Sequence, residues 1–129
     1  YVNKAKERFG DSVHITGFLS EEVLHAIYEA ATLVWMPSRY EGFGLPVLEA
    51  MACDTAVVAS DASALPEVAG NAAELVPVDN PGAHISVLRS LLETPSQRER
   101  LREAGRKRAQ QFTWDRSATQ LLSAFQDIV

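Results

Sequence analysis

Two glutamates, Glu41 and Glu49, stand with seven residues between them: Gly42, Phe43, Gly44, Leu45, Pro46, Val47 and Leu48. An ionised carboxylate accepts hydrogen bonds and donates none, so its natural partners are hydroxyls, which it can take two at a time. Gly42 and Gly44 let the backbone approach a ligand closely and accept positive φ. Pro46 suits the first position of a helix. A helix start offers free N–H groups and a partial positive charge to an anion. The expected donors are the N–H groups of Gly44, Leu45 and Val47, since Pro46 has none to give. Phosphate at the helix start, a diol at Glu49 and further hydroxyls at Glu41 describe a ligand of the form sugar–diphosphate–ribose–base. The competing description is a pair of surface charges around a tight turn.

Such a loop needs a strand before it and a helix after it. "TLVWMP" (32–37) is a continuous apolar run stopped by Pro37, which predicts a strand buried on both faces. The helix after the loop is predicted from Pro46 to about Cys53. "TAVVAS" (55–60) reads as a second buried strand, "AAELVPV" (72–78) as a weaker one, and "SVHITGF" (12–18) as a short strand ended by Gly17. "SEEVLHAIYEAA" reads as a helix capped by Ser20, with Val23, Leu24, Ile27, Tyr28 and Ala31 at helical spacing. Asn80 and Pro81 open another helix. A further one follows, with Thr94–Gln97 or Ser96–Glu99 as its capping box. Trp114, Ala118, Leu121, Leu122, Phe125 and Ile128 form a closing helical stripe. That tail is expected to wrap back over the sheet or to dock on a neighbouring domain. Alternation of strands and helices predicts the α/β class: a Rossmann-like parallel sheet with flanking helices and a helical tail. The glycine loop then lies at the carboxyl edge of the sheet, where open α/β sheets bind ligands.

The remaining residues set bounds. A length of 129 residues suits one domain, and a net charge of −5 argues against a nucleic-acid partner held by phosphate contacts. The basic run "RERLREAGRKR" holds half of the twelve Lys and Arg. It reads as a solvated helix face, with Glu103 pairing to Lys107; its second reading is peripheral contact with an anionic membrane. The single cysteine, Cys53, reads as a buried thiol in a reducing compartment, without a base near it in sequence. His14, His25 and His84 lack metal-ligand spacing, so no metal site is expected. Trp35 and Trp114 read as core aromatics, and Glu67 as a residue that caps or packs a short helix. Ser38 and Ser60 follow strands and are minor candidates for ligand contact. There is no apolar run of membrane-spanning length and no visible signal peptide, so cytoplasmic residence is expected, with a peripheral position at the inner membrane as the second reading. The chain opens without Met and reads as the middle of something longer.

"RYEGFGLPVLEAMAC" resembles the signature of retaining glycosyltransferases of the group 1 (family 4) class, which have GT-B architecture. "VHITGFLS", "IYEAATLVWMPSRYEGFG", "VVASDASALPEVAGNAAELV" and the closing "FTW" fall in that family's order, so the resemblance covers essentially the whole chain. It implies a nucleotide-sugar donor-binding domain over residues 1–129. Glu49 would bind the ribose hydroxyls. Glu41 would be the catalytic-site carboxylate, contacting donor-sugar hydroxyls near the reacting face. Gly42, Phe43, Gly44 and Leu45 would hold sugar and phosphate through the backbone, and Leu45, Pro46 and Val47 would meet the diphosphate. Gly17–Leu19 would lie near the base. The implied reaction moves a hexosyl group from a UDP- or GDP-sugar to a sugar, lipid or glycan acceptor with retention, using neither metal nor other cofactor.

The chain departs from the family pattern in two ways. "CDTAVVAS" has Asp54 where Gly is usual and Ala56 where Pro is usual, for which a small stability cost is expected. The family's first two β–α units, with their basic clamp for the diphosphate, have no counterpart, and neither has the acceptor-binding N-terminal domain. Nothing in the motif makes Arg39 a substitute. The chain alone is therefore expected to be inactive. "VHITGF" would pair directly with "TLVWM", share strands with a second chain, or await an upstream piece. Two other functions stay open: a non-catalytic nucleotide-sugar-binding or interaction module, and a GT-B nucleotide-sugar epimerase.

Overall fold

Four consecutive residues, Val57–Ser60, are completely buried and form β2, the centre of a parallel sheet. Successive strand side chains point to opposite faces. Val57 and Ala59 accordingly join one apolar cluster, while Val58 joins the other. β1 (Val34–Met36) and β3 (Glu74–Val76) pair with β2 on either side, with Val34 opposite Val57 and Ser60 opposite Val76. The computed structural model describes residues 2–126, with side chains from Lys4 onward. The helices are α1 (Val2–Phe9), α2 (Glu21–Ala30), α3 (Leu45–Ala52), α4 (Leu65–Ala69), α5 (Pro81–Glu93), α6 (Pro95–Ala109) and α7 (Trp114–Gln126). The α/β class with a parallel, helix-flanked sheet is as expected.

One cluster is built from Val47, Ala50 and Met51 of α3 with Leu65, Val68 and Ala69 of α4. The other joins Val58 and Val76 to Leu91 of α5 and Leu101 of α6. Each such aliphatic side chain, fully buried, contributes about 1.5–3 kcal/mol. α6 reaches both clusters and lies closely against α3. At the crossing a Cβ on Gly105 would stand 3.0 Å from Met51 Cγ, so the glycine permits the approach. Its cost in helix propensity, about 1 kcal/mol relative to Ala, is offset by that packing.

Several expectations need correction. "SVHITGF" forms no strand: Gly10–Ser12 is a 3₁₀ turn and the following residues pair with no strand among those described. A strand exists through its ladder, and this segment has no strand partner among the described residues; Ile15 and Phe18 are exposed. Direct pairing with "TLVWM" does not occur. β1 is not buried on both faces either. Among the described strands it lies at the edge of the sheet, and Trp35 is 47% exposed. Trp114 is 91% exposed, so neither tryptophan is a core residue. α7 forms, with Thr113 Oγ1 accepting from the Arg116 N–H at 3.2 Å, but its apolar stripe does not wrap back over the sheet; Leu121, Leu122 and Phe125 are exposed. Ile128 lies outside the described residues.

Asn80 caps α5 by accepting from the Ala83 N–H at 3.0 Å. Ser20 and Thr94 make no side-chain cap. Gln97, expected in a capping box, accepts from Ser90 instead. Ser96 lies inside α6, and its expected box partner Glu99 faces Arg102 at 3.9 Å. The basic run of α6 is not simply a solvated face. Arg98 donates to the Leu91 and Leu92 carbonyls at the end of α5, and Arg100 pairs with Glu74. Lys107 does meet Glu103 at 2.7 Å and holds that carboxyl below its usual range. Asp54 takes the left-handed conformation expected of the family's glycine, at φ 58°, with Arg106 3.6 Å from its carboxylate. Among the described residues no helix is long and apolar enough to cross a membrane.

Candidate functional site

The loop from Pro37 to Gly44 leaves the carboxyl end of β1 and turns into α3. Gly44 is the N-cap residue, at φ 99° and ψ 42°, a conformation that disfavours any Cβ. It is also buried. A Cβ there would stand 2.7 Å from Leu65 Cδ2. Gly42, by contrast, has no positive φ and open space around it.

The donors at the helix start are fewer than expected. Val47 is fully buried, and its N–H donates to the Gly44 carbonyl at 3.0 Å. It therefore drops out as a phosphate donor, and Pro46 has no N–H. The N–H groups of Gly44 and Leu45 donate to no backbone carbonyl among the described residues. These two N–H groups therefore stay without a backbone acceptor at the helix start, and Leu45 is exposed.

The two carboxylates are held in different ways. Glu49 is exposed on α3 and accepts from the Tyr28 hydroxyl of α2 at 3.2 Å. Tyr28 is tied down in turn, because Thr55 Oγ1 donates to its carbonyl at 2.6 Å. Burial, then the Glu49 charge and hydrogen bond, push the Tyr28 phenol from 10.0 up to about 12. Glu41 is half-buried and fixed through its backbone. Ser63 Oγ donates to the Glu41 carbonyl at 2.6 Å and accepts from the Glu41 N–H at 3.3 Å.

The Tyr28 shift gives a measurable sign. The folded chain holds the phenol proton more tightly than the unfolded chain. Stability from this group is therefore complete below pH 10 and is lost as pH rises towards 12. One of the three tyrosines should ionise near pH 12 in an absorbance titration. Tyr28→Phe should remove that step, and Glu49→Gln should lower it only in part, since burial is the larger cause.

The expected site residues do not line a single cavity. Gly42 and Phe43 border a cleft of about 370 Å³ whose other walls include Glu67, Arg108, Phe112 and Arg116. Glu49 borders a separate depression of about 260 Å³ with Tyr28, His25 and Cys53. Gly44 and Leu45 lie on the chain between the residues that border the two. Phe43 meets Phe112 edge to face at 6.0 Å. Arg108 lies over the same Phe112 ring, 4.8 Å from its centroid, and donates to the Val68 and Glu67 carbonyls of α4. Arg108, Ser63 and the bond from Tyr28 were not singled out from the sequence; Phe112 was visible there only within "FTW".

The minor candidates separate clearly. Ser60 is fully enclosed, with its hydroxyl unpartnered, and so does not reach the cleft wall. Arg39 is paired with Asp79, both exposed. His25 lies 3.4 Å from Cys53 Sγ, a base that sequence proximity could not reveal. Burial raises the thiol's pKa nonetheless, with Glu29 and Glu49 adding to it, which works against a nucleophilic role. His84 is buried and accepts from Trp35 Nε1 at 3.1 Å. Glu67 sits in the first turn of α4, as a residue of that short helix.

The chain and its fold have known counterparts. The chain is 41% identical over 123 residues to an MMP alpha-(1->4)-mannosyltransferase of Mycolicibacterium hassiacum, covering 92% of this chain and 30% of that protein. It is 42% identical over 116 residues to O-antigen chain mannosyltransferase B of Escherichia coli, covering 88% and 30%. A sucrose-phosphate synthase from Thermosynechococcus elongatus superposes with a TM-score of 0.84 at 32% identity, over 98% of this chain and 33% of that one. The chain thus spans about a third of the length of these relatives. Residues 2–108 match the family model of the glycosyl transferases group 1. The chain belongs to that family, with a partial GT-B fold.

Proposed function

We propose that this chain is the donor-binding part of a glycosyltransferase that moves a hexosyl group from a nucleoside-diphosphate sugar to an acceptor with retention. It supplies the donor half, and the acceptor is held by further sequence of the kind that makes up the rest of its relatives. The observation that carries the reading is the backbone at Gly44. Gly44 caps the helix at positive φ, and the Gly44 and Leu45 N–H groups have no backbone acceptor among the described residues, at a helix start that lies between Glu41 and Glu49.

In this reading the diphosphate meets those N–H groups and the helix dipole, which stabilise the charge that grows on the leaving phosphate. Glu49 accepts from the ribose diol. Glu41 accepts from donor-sugar hydroxyls. The anomeric carbon–phosphate oxygen bond breaks, a bond to the acceptor oxygen forms on the same face, and the acceptor's proton passes to the leaving phosphate. The residues act by binding and orienting, with no metal required. Two relatives are named mannosyltransferases, which makes a mannosyl donor the first to test. Cytoplasmic residence is part of the proposal and suits the lone buried thiol. Peripheral membrane contact is the weaker extension, because Arg98, Arg100 and Arg108 already have partners within the chain.

The test is an NMR titration of the chain with UDP and with GDP. Saturable shifts at the Gly44 and Leu45 amides, and none beyond propagated change at Val47, are expected. The tighter nucleotide names the donor base. A folded chain whose Gly44 and Leu45 amides do not move with either nucleotide overturns the reading. The isolated chain should bind donor without turning it over.

A further inference from the structure

We propose that Ser63 is a positioning residue for Glu41, and that through Glu41 it governs recognition of the donor's sugar rather than of its nucleotide. The inference rests on the donor reading above. Glu41 sits in a loop that regular structure does not hold. Both polar groups of its backbone, N–H and C=O, are taken by one hydroxyl from the β2–α4 loop, 22 residues away. The contact works as a one-residue substitute for a strand ladder. It ties together the two loops that rim the cleft beside Gly42, Phe43 and Ala64.

Ser63 makes this contact from a left-handed backbone, at φ 55°. Residues other than glycine occupy that region infrequently and at a cost, and such strain is kept where the surroundings over-determine it. Glycine would fit the backbone with less strain but would lack the hydroxyl. The serine therefore trades local comfort for a fixed Glu41. With its backbone anchored, Glu41 presents its carboxylate from a defined origin. Glu49 is anchored separately on α3, so loss of the clamp leaves the ribose and diphosphate contacts in place.

Ser63→Gly separates this role from a purely structural one. It removes both hydrogen bonds while relieving the positive φ, so the urea midpoint should stay close to that of the parent. Ser63→Ala, which keeps the strain, should give the same exchange result. Amide hydrogen exchange at Glu41 should accelerate about tenfold in both variants, the loss of one hydrogen bond's protection, with other amides unchanged. Affinity for UDP and GDP alone should stay unchanged. The extra affinity of UDP-glucose or GDP-mannose over the bare nucleotide should disappear.

The outcomes are distinct. Unchanged Glu41 exchange in both variants overturns the clamp. A general fall in stability with Ser63→Gly overturns the positioning role in favour of a structural one. A Glu41 amide that loses protection while the sugar's contribution persists overturns the link to recognition. A parent chain that binds none of the nucleotides or nucleotide sugars removes the donor reading and the recognition role with it, while the exchange data still decide the clamp.

Discussion

Gly44→Ala should destabilise the chain by about 2–5 kcal/mol. Two costs combine. An L-residue forced into left-handed backbone costs about 1–2 kcal/mol, and the observed φ of 99° lies in that disfavoured half of the map. The new Cβ also lands 2.7 Å from Leu65 Cδ2. Leu65 is fully buried, so its side chain cannot swing aside freely, and overpacking of this kind costs about 1–3 kcal/mol. Against a total of about 5–15 kcal/mol for a typical domain, the sum is large. Urea denaturation measures it. A double-mutant cycle with Leu65→Val apportions it, because relieving the clash should recover the packing share and leave the backbone share. A loss below about 1 kcal/mol would mean that the loop relaxes out of the left-handed conformation, and the arrangement of the Gly44 and Leu45 donors would have to be redrawn.

The same position illustrates what could be read in advance. Glycine, leucine and proline in succession after an apolar strand-forming run specify a left-handed turn into a helix, and Gly44 and α3 follow that prescription. β2 was legible because burial on both faces demands a continuous run of small and β-branched residues, and "TAVVAS" is such a run. Asn80 and Pro81 were legible because a cap is a local bargain between a side chain and the next turn. The long-range misreadings have one physical origin. A strand is a relation between two segments, and "SVHITGF" has strand composition without a partner among the described residues. An apolar stripe says that a face prefers to be covered, and says nothing of what covers it; Trp35 and Trp114 read as core aromatics yet stand exposed, and the α7 stripe does not lie over the sheet. The clamp on Glu41 spans 22 residues and the Arg108 contact to Val68 spans 40. Neither follows any periodicity along the chain. Val47 failed as a donor for a local reason: the first turn of α3 tightens, and its N–H closes back on Gly44.

Arg108→Ala should cost about 2–4 kcal/mol, and its effect should reach the glycine loop. α4 is only five residues long and cannot satisfy its own last carbonyls. The Arg108 guanidinium does so from α6, donating to Val68 at 2.9 Å and to Glu67, with a third bond to Gln111 at 2.8 Å. Hydrogen bonds to a charged group contribute about 1.5–3 kcal/mol when protected from water. The Glu67 and Gln111 bonds are exposed, so most of the effect should come from Val68. Stacking over Phe112 adds about 0.5–1 kcal/mol at such a site. Phe112 in turn meets Phe43 edge to face. Truncating Arg108 therefore loosens α4, which carries Leu65 against Gly44, and at the same time frees the ring against which Phe43 rests. Arg108→Lys should recover less than half of the loss, because an ammonium on a flexible stem lacks the planar fork that reaches two successive carbonyls. Urea midpoints of the two variants, with amide exchange at Val68, Phe43 and Gly44, provide the measurement. If lysine restores the parent's stability in full, charge at the end of α4 is what matters. If both variants leave exchange at Phe43 and Gly44 untouched, the glycine loop is held without help from Arg108, and the Arg108–Phe112–Phe43 stack is a separate feature of the cleft wall.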